Sequence, residues 1–152
     1  MEGRPEQISR PILQFRARST DKLYNPDVAD RQPVLCVEDN DENFALVQLV
    51  LESTGRWTVS RAADVEQARE AVARETPVAV LLDLDLPRIS GLDFARELKA
   101  SPEFKAIPII VVSASVMRQE HARAREVGCE YFIEKPFDIS VLRDTLAKAV
   151  DG

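Results

Sequence analysis

A parallel sheet covered by helices on both faces is the fold class this sequence predicts, and two features of it carry that prediction. Short apolar runs at Val34–Val37, Val78–Leu82 and Ile107–Val112 lack the in–out alternation of a half-wet sheet, so both of their faces are buried. Segments with apolar residues three and four positions apart lie between them. The two patterns alternate as βαβαβαβαβα, the order of a three-layer α/β sandwich with parallel strands and right-handed crossovers.

The elements follow in order. After the first strand, Asp41–Ser53 places Phe44, Val47 and Leu51 on one stripe, with Asn40 or Asp41 as N-cap and Gly55 just past the end. A weaker strand spans Trp57–Arg61, with Trp57 covering the sheet near the first helix. Asp64–Glu75 aligns Val65, Ala68 and Val72 until Pro77 stops it, and the third strand follows. Leu92–Ala100 turns Leu92, Ala95 and Leu98 inward, preceded by Gly91, which reads as a turn glycine with positive φ. Pro108 is tolerable near the start of the fourth strand. Val116–Val127 is arginine-rich and ends at Gly128; Arg118, Arg123, Arg125 and the single His121 read as a solvated face. A weak fifth strand, Glu130–Ile133, leads to Ile139–Val150, where Val141, Leu142, Leu146, Ala149 and Val150 recur at helical spacing behind an Asp138 or Ser140 cap.

Composition narrows the function. The 152 residues are 45% hydrophobic and 30% charged, a soluble balance for one domain with a short appendage. The longest unbroken apolar run, Val78–Leu82, falls far short of the roughly 20 residues of a membrane helix. The N-terminus lacks the basic-then-apolar build of a secretion signal. A net charge of −6 argues against a phosphate-binding footprint on DNA or RNA. Cys36 and Cys129 are too few and too far apart for a disulfide framework or zinc site; they read as inert core thiols in a reducing cytoplasm. Residues 1–32, rich in proline and without lasting periodicity, read as an arm with no core of its own, either flexible or docking through Ile12, Leu13 and Phe15. The domain proper then spans 33–152.

The chemistry lies where polar residues interrupt the apolar runs. The first strand ends in Glu38-Asp39, the third in Asp83, the fourth in Ser113 and the fifth in Lys135. In an open parallel sheet the carboxyl ends of neighbouring strands line one crevice. Clustered carboxylates repel unless they titrate or hold a cation, and hard oxygen donors favour Mg²⁺, with Mn²⁺ as a substitute. The lysine supplies charge for a phosphoryl group and the serine a hydrogen bond. A carboxylate beside such a phosphoryl group can itself be the nucleophile, giving an aspartyl phosphate.

Four stretches carry a resemblance: Val37-Glu38-Asp39-Asn40; Leu82 through Pro87 with Ile89-Ser90-Gly91; Val112-Ser113-Ala114; and Glu134-Lys135-Pro136-Phe137. Together, in order and at strand ends, they make Pro33–Val150 resemble a response-regulator receiver domain of two-component signalling, of the CheY-like kind and most similar to single-domain receivers lacking an output module. The resemblance implies a doubly wound, flavodoxin-like sheet with strand order 2-1-3-4-5. It implies Asp83 as phosphoacceptor, Asp39 as a direct metal ligand, Glu38 acting mainly through a metal-bound water, and the backbone carbonyl of Asp85 completing the set. Ser113 and Lys135 would bind phosphoryl oxygens. Phe132 occupies the aromatic switch position, and a cis peptide commonly precedes the proline matching Pro136. Asp85 and Ser115, two past the acceptor and two past the hydroxyl, are lifetime-tuning positions; the sign of Asp85's effect stays open.

The resemblance further implies a histidine kinase or histidine phosphotransfer protein as donor and self-catalysed transfer and hydrolysis. Output would pass to a protein target, with no direct DNA binding and no membrane association. The responding face is the one built from the Val116–Val127 helix, the fifth strand and the last helix. Whether the arm pairs two chains into a homodimer is left open. Two other readings stand beside this one. Asp83-Leu84-Asp85 resembles the nucleophile motif of haloacid-dehalogenase phosphatases, but Pro87 stands where that motif expects Thr or Val. A receiver-shaped scaffold working without phosphorylation is the other, although such scaffolds normally lack one of the pocket residues present here.

Overall fold

The computed structural model describes residues 30–86, 91–114 and 118–152. The expectations for the arm before Asp30, and for Pro87, Ile89, Ser90 and Ser115, lie outside the described residues. The strands are β1 (Gln32–Val37), β2 (Trp57–Ala62), β3 (Ala79–Asp83), β4 (Ile109–Ser113) and β5 (Tyr131–Glu134). The helices are α1 (Asp41–Glu52), α2 (Val65–Arg74), α3 (Gly91–Ala100), α4 (Arg118–Val127) and α5 (Ile139–Asp151). All strand pairs are parallel, in the order β2-β1-β3-β4-β5.

Alternate residues of the same apolar runs feed two separate cores, which is why the runs show no alternation. Leu35, Val37, Val80, Leu82, Ile109 and Val111 pack with Val65, Ala68 and Val72 of α2, Phe94, Ala95 and Leu98 of α3, and Ala124 of α4. Val34, Cys36, Leu81, Ile110, Val112 and Ile133 pack on the opposite face with Val47, Val50 and Leu51 of α1 and Leu142 and Leu146 of α5. The helix starts follow capping chemistry: Asn40, Asp64 and Asp138 each accept a backbone N–H of the first turn through their side chains. Gly55 and Gly128 sit at φ 82° and 115°, the left-handed backbone that ends a helix at low cost for glycine.

Gly91 departs from its expected role. It opens α3 without a positive φ, and a β-carbon there would lie 3.3 Å from the Asp83 carbonyl oxygen and 3.2 Å from Leu84 Cδ2. Close approach to the end of β3, not a dihedral requirement, explains the missing side chain. Trp57 is buried in the α1-side core, with the Arg56 guanidinium 4.2 Å from its ring centroid. The same guanidinium bonds Gln32 Oε1 and, bidentately, Asp151 at the end of α5. No helix among the described residues is long and apolar enough to cross a membrane.

Candidate phosphoryl-transfer site

Strand register assembles the site. Val37 lies opposite Leu82, so the residues that follow, Glu38 and Asp83, come side by side. Asp83 lies opposite Val112, and Ser113 opposite Glu134, so each strand toward β5 offers its polar residue one step further along. The cluster therefore gathers at the carboxyl rim from residues far apart in sequence. Glu38, Asp83 and Ser113 are all buried, while Asp39 faces solvent.

One carboxylate oxygen from each of Glu38, Asp39 and Asp83 lies within 4.8 Å of the others, a hard-oxygen set suited to a divalent cation. Lys135 Nζ is 3.0 Å from Asp83 Oδ2, 3.7 Å from Glu38 Oε1 and 3.8 Å from Asp85 Oδ2. The other acceptor oxygen, Asp83 Oδ1, takes the Asp85 backbone N–H at 2.8 Å. The Lys135–Pro136 peptide bond is cis.

Electrostatics follow from burial. Desolvation pushes the Glu38 carboxyl up, reinforced by the Asp83 charge and opposed by the Asn40 N–H and Lys135. Burial works to lower the Lys135 pKa, but its hydrogen bond and attraction to Asp83, with Glu38 and Asp85 adding, hold it above the ordinary lysine value. The Cys36 thiol, buried beneath the same carboxylates, is pushed up to about 12, which keeps it protonated and unreactive.

The raised Glu38 pKa makes stability depend on pH in a stated direction. The folded state holds the Glu38 proton more tightly than the unfolded chain, so this group favours folding most below its ordinary value. The advantage fades as pH rises through the folded value. Without metal, the wild-type protein is expected to lose more melting temperature between pH 5 and pH 7.5 than Glu38→Gln, which has no charge to bury. Melts in chelator at the two pH values check this.

Three side chains do more than their local sequence announces. Arg61, on β2 beside β1, donates from Nε to the Glu38 carbonyl at 2.9 Å, from Nη2 to the Asp39 carbonyl at 2.8 Å and from Nη1 to Asp41 Oδ1 at 2.7 Å. Its planar fork holds the loop that presents the acids. The Asp85 side chain accepts from Ser113 Oγ at 3.2 Å and from the Ala114 N–H at 2.9 Å. His121 is a correction: it is half-buried, its ring stacked on Phe132 at 4.6 Å between centroids, with the Arg125 guanidinium 5.0 Å from the same phenyl ring. Position 121 is three before the buried Ala124, so it shares the inward side of α4.

The family model of the response regulator receiver domain matches residues 34–147. The chain belongs to the response regulator receiver family. This receiver is 34% identical over 113 residues to the polar-differentiation response regulator DivK of Brucella ovis, covering 74% of this chain and 91% of that protein. Its fold matches the receiver domain of the sensor histidine kinase PA1611 from Pseudomonas aeruginosa, solved with magnesium coordinated in the active-site cleft. That match has a TM-score of 0.73, 29% identity, and coverage of 80% of this chain and 99% of that one. A sensor protein from Polaromonas sp. JS666 matches with a TM-score of 0.73 and 30% identity, over 80% and 97% of the two chains. The receiver is thus a signalling module of two-component systems, and its sheet has the strand order the resemblance implies.

Proposed function

We propose that Asp83 accepts a phosphoryl group from the phosphohistidine of a histidine kinase or phosphotransfer protein, and that the resulting aspartyl phosphate switches this receiver's contacts with a protein target. The observation that carries the reading is the ammonium–carboxylate contact of Lys135 with Asp83, 3.0 Å long, beside two more metal-competent acids and the Ser113 hydroxyl. An Asp83 carboxylate oxygen attacks phosphorus as the P–N bond to the donor imidazole breaks, and the imidazole leaves carrying the bond's electron pair. Lys135 neutralises charge developing on the transferring group, and Ser113 donates a hydrogen bond to one of its oxygens.

Asp39 and Asp83 directly, Glu38 mainly through water, and the Asp85 backbone carbonyl would hold Mg²⁺ or Mn²⁺. When bound, the ion supplies electrostatic stabilisation of the phosphoryl oxygens. Hydrolysis of the acyl phosphate by water resets the switch with the same residues. Once Asp83 is modified, Ser113 turns toward it and Phe132 repacks in the space beside it, remodelling the α4–β5–α5 face in a cytoplasmic setting. The position matched to Ser115 would tune the lifetime.

The test is incubation with acetyl phosphate and Mg²⁺ followed by intact mass, with borohydride trapping and peptide mapping to locate the acyl phosphate. A single metal-dependent adduct at residue 83 is expected. An unmodified protein overturns the reading and favours a phosphorylation-independent scaffold.

A further inference from the structure

The Ser113 hydroxyl that a phosphoryl group on Asp83 would need is already engaged by another anion, the side chain of Asp85, which also takes the adjoining Ala114 amide. Its Oδ1 takes the Ser113 hydroxyl at 3.2 Å. Its Oδ2 takes the Ala114 N–H at 2.9 Å and lies 3.8 Å from Lys135 Nζ. A hydroxyl, a backbone amide and an ammonium from two different strand ends thus converge on one carboxylate. Asp85 reaches them because its own N–H is bonded to Asp83 Oδ1, which holds residue 85 directly beside the acceptor. The side chain is 37% exposed, so it has room to swing into solvent.

We propose that the Asp85 carboxylate is a built-in competitor for the phosphoryl group, occupying the Ser113 hydroxyl and the Ala114 amide at rest, within ion-pair range of Lys135, and leaving them on phosphorylation. The inference rests on Asp83 being the acceptor. Incoming phosphoryl oxygens and the Asp85 oxygens carry the same sign and draw on the same groups, the Ser113 hydroxyl and the Ala114 N–H by hydrogen bond and Lys135 by charge alone, so both anions are not accommodated at full strength. Occupation by Asp85 therefore acts as a conformational tax. Apparent affinity for any phosphoryl-like anion is reduced by the fraction of molecules in which the donors are vacant.

The direction of the effect follows. Asp85 lowers the occupancy of the phosphorylated state, because the displaced carboxylate recaptures Ser113 and Ala114 as soon as the group is lost. It also orients the Ser113 hydroxyl toward the rim before any phosphoryl group arrives, so the resting receiver holds part of its donor set in place. Asp85 is thus a positioning residue that acts through Ser113 and the Ala114 amide. Its expected contribution as a metal ligand comes from the backbone carbonyl, which a side-chain substitution leaves in place.

The experiment measures binding of beryllofluoride, a phosphoryl mimic, to the wild-type protein, Asp85→Ala and Asp85→Asn, with Mg²⁺ titrated first and then held saturating for each. Asp85→Ala is expected to bind the mimic about tenfold more tightly. Asp85→Asn, which keeps one acceptor oxygen without the charge, should fall between it and the wild type. A gain in affinity does not arise from a damaged fold, so this readout separates competition from a structural role. The amide resonance of Ala114 without beryllofluoride should move upfield in Asp85→Ala as its carboxylate partner disappears. Wild-type binding with an unchanged or weaker Asp85→Ala overturns the competitor and leaves the acceptor reading standing. Absence of binding in all three proteins overturns both.

Discussion

Asp83→Asn is expected to take up no phosphoryl group from acetyl phosphate at any Mg²⁺ concentration. An amide is not a competent nucleophile toward phosphorus here, and no other acid in the cluster lies as close to Lys135: Glu38, also buried, stands 3.7 Å from its Nζ against 3.0 Å for Asp83. The fold should survive. The substituted amide retains one good acceptor where Asp83 has two, one serving Lys135 and one serving the Asp85 N–H, so one donor loses its partner at about 1–3 kcal/mol. Against that loss, the repulsion between Glu38 and residue 83 disappears. The two effects oppose each other, and melting temperature in chelator should stay within about 4 °C of wild type. Mg²⁺ affinity should drop at least about tenfold, since one of the three clustered carboxylates is gone. Intact mass, thermal melts and metal titration on one preparation check the set. An adduct of undiminished yield would assign the acceptor elsewhere.

Lys135→Met is expected to show the reverse pattern in the absence of metal. Lys135 is the cation closest to Asp83 among the described residues, and both side chains are largely buried. Removing one partner of such a pair leaves buried carboxylates uncompensated, at about 3 kcal/mol. The variant should relieve the repulsion by protonating, so that Glu38 is driven further up than in the wild type. Mg²⁺ restores positive charge, so it should raise the melting temperature of Lys135→Met by more than it raises that of the wild type. Phosphoryl uptake at saturating Mg²⁺ should nevertheless fall by about 10²–10³, the effect of deleting one preorganised group aimed at developing charge. Recovery of the melting temperature without recovery of the rate would separate the lysine's electrostatic support of the fold from its part in transfer.

The fold and the outline of the site were legible because they depend on local patterns. The non-alternating runs that became β1, β3 and β4 imply burial on both faces, and that implies helices on both sides. Glu38, Asp83, Ser113 and Lys135 were legible because each abruptly ends an apolar strand, and parallel topology sends all such ends to one rim. Arg61 escaped notice because its partners lie across the β1–β2 pairing, and no local spacing connects it to the carbonyls of residues 38 and 39. The occupation of Ser113 and the Ala114 amide by Asp85 depends on the approach of two strand ends, again a tertiary fact. His121 differs from both. Its separation from Ala124 held the signal, but neighbouring arginines drew the reading toward solvent. Gly91 likewise invited a dihedral explanation when the constraint is the proximity of the β3 backbone.

The bond from Arg56 to Gln32 and Asp151 has a practical consequence for watching this receiver at work. It ties the start of β1 to the end of α5 on the rim opposite the acidic cluster, since parallel strands that finish at one rim begin at the other. A fluorophore joined at Gly152 therefore sits at the rim away from Asp83, at the C-cap of the helix whose surroundings are expected to change. Such a label would report occupancy in real time without obstructing the donor protein's approach.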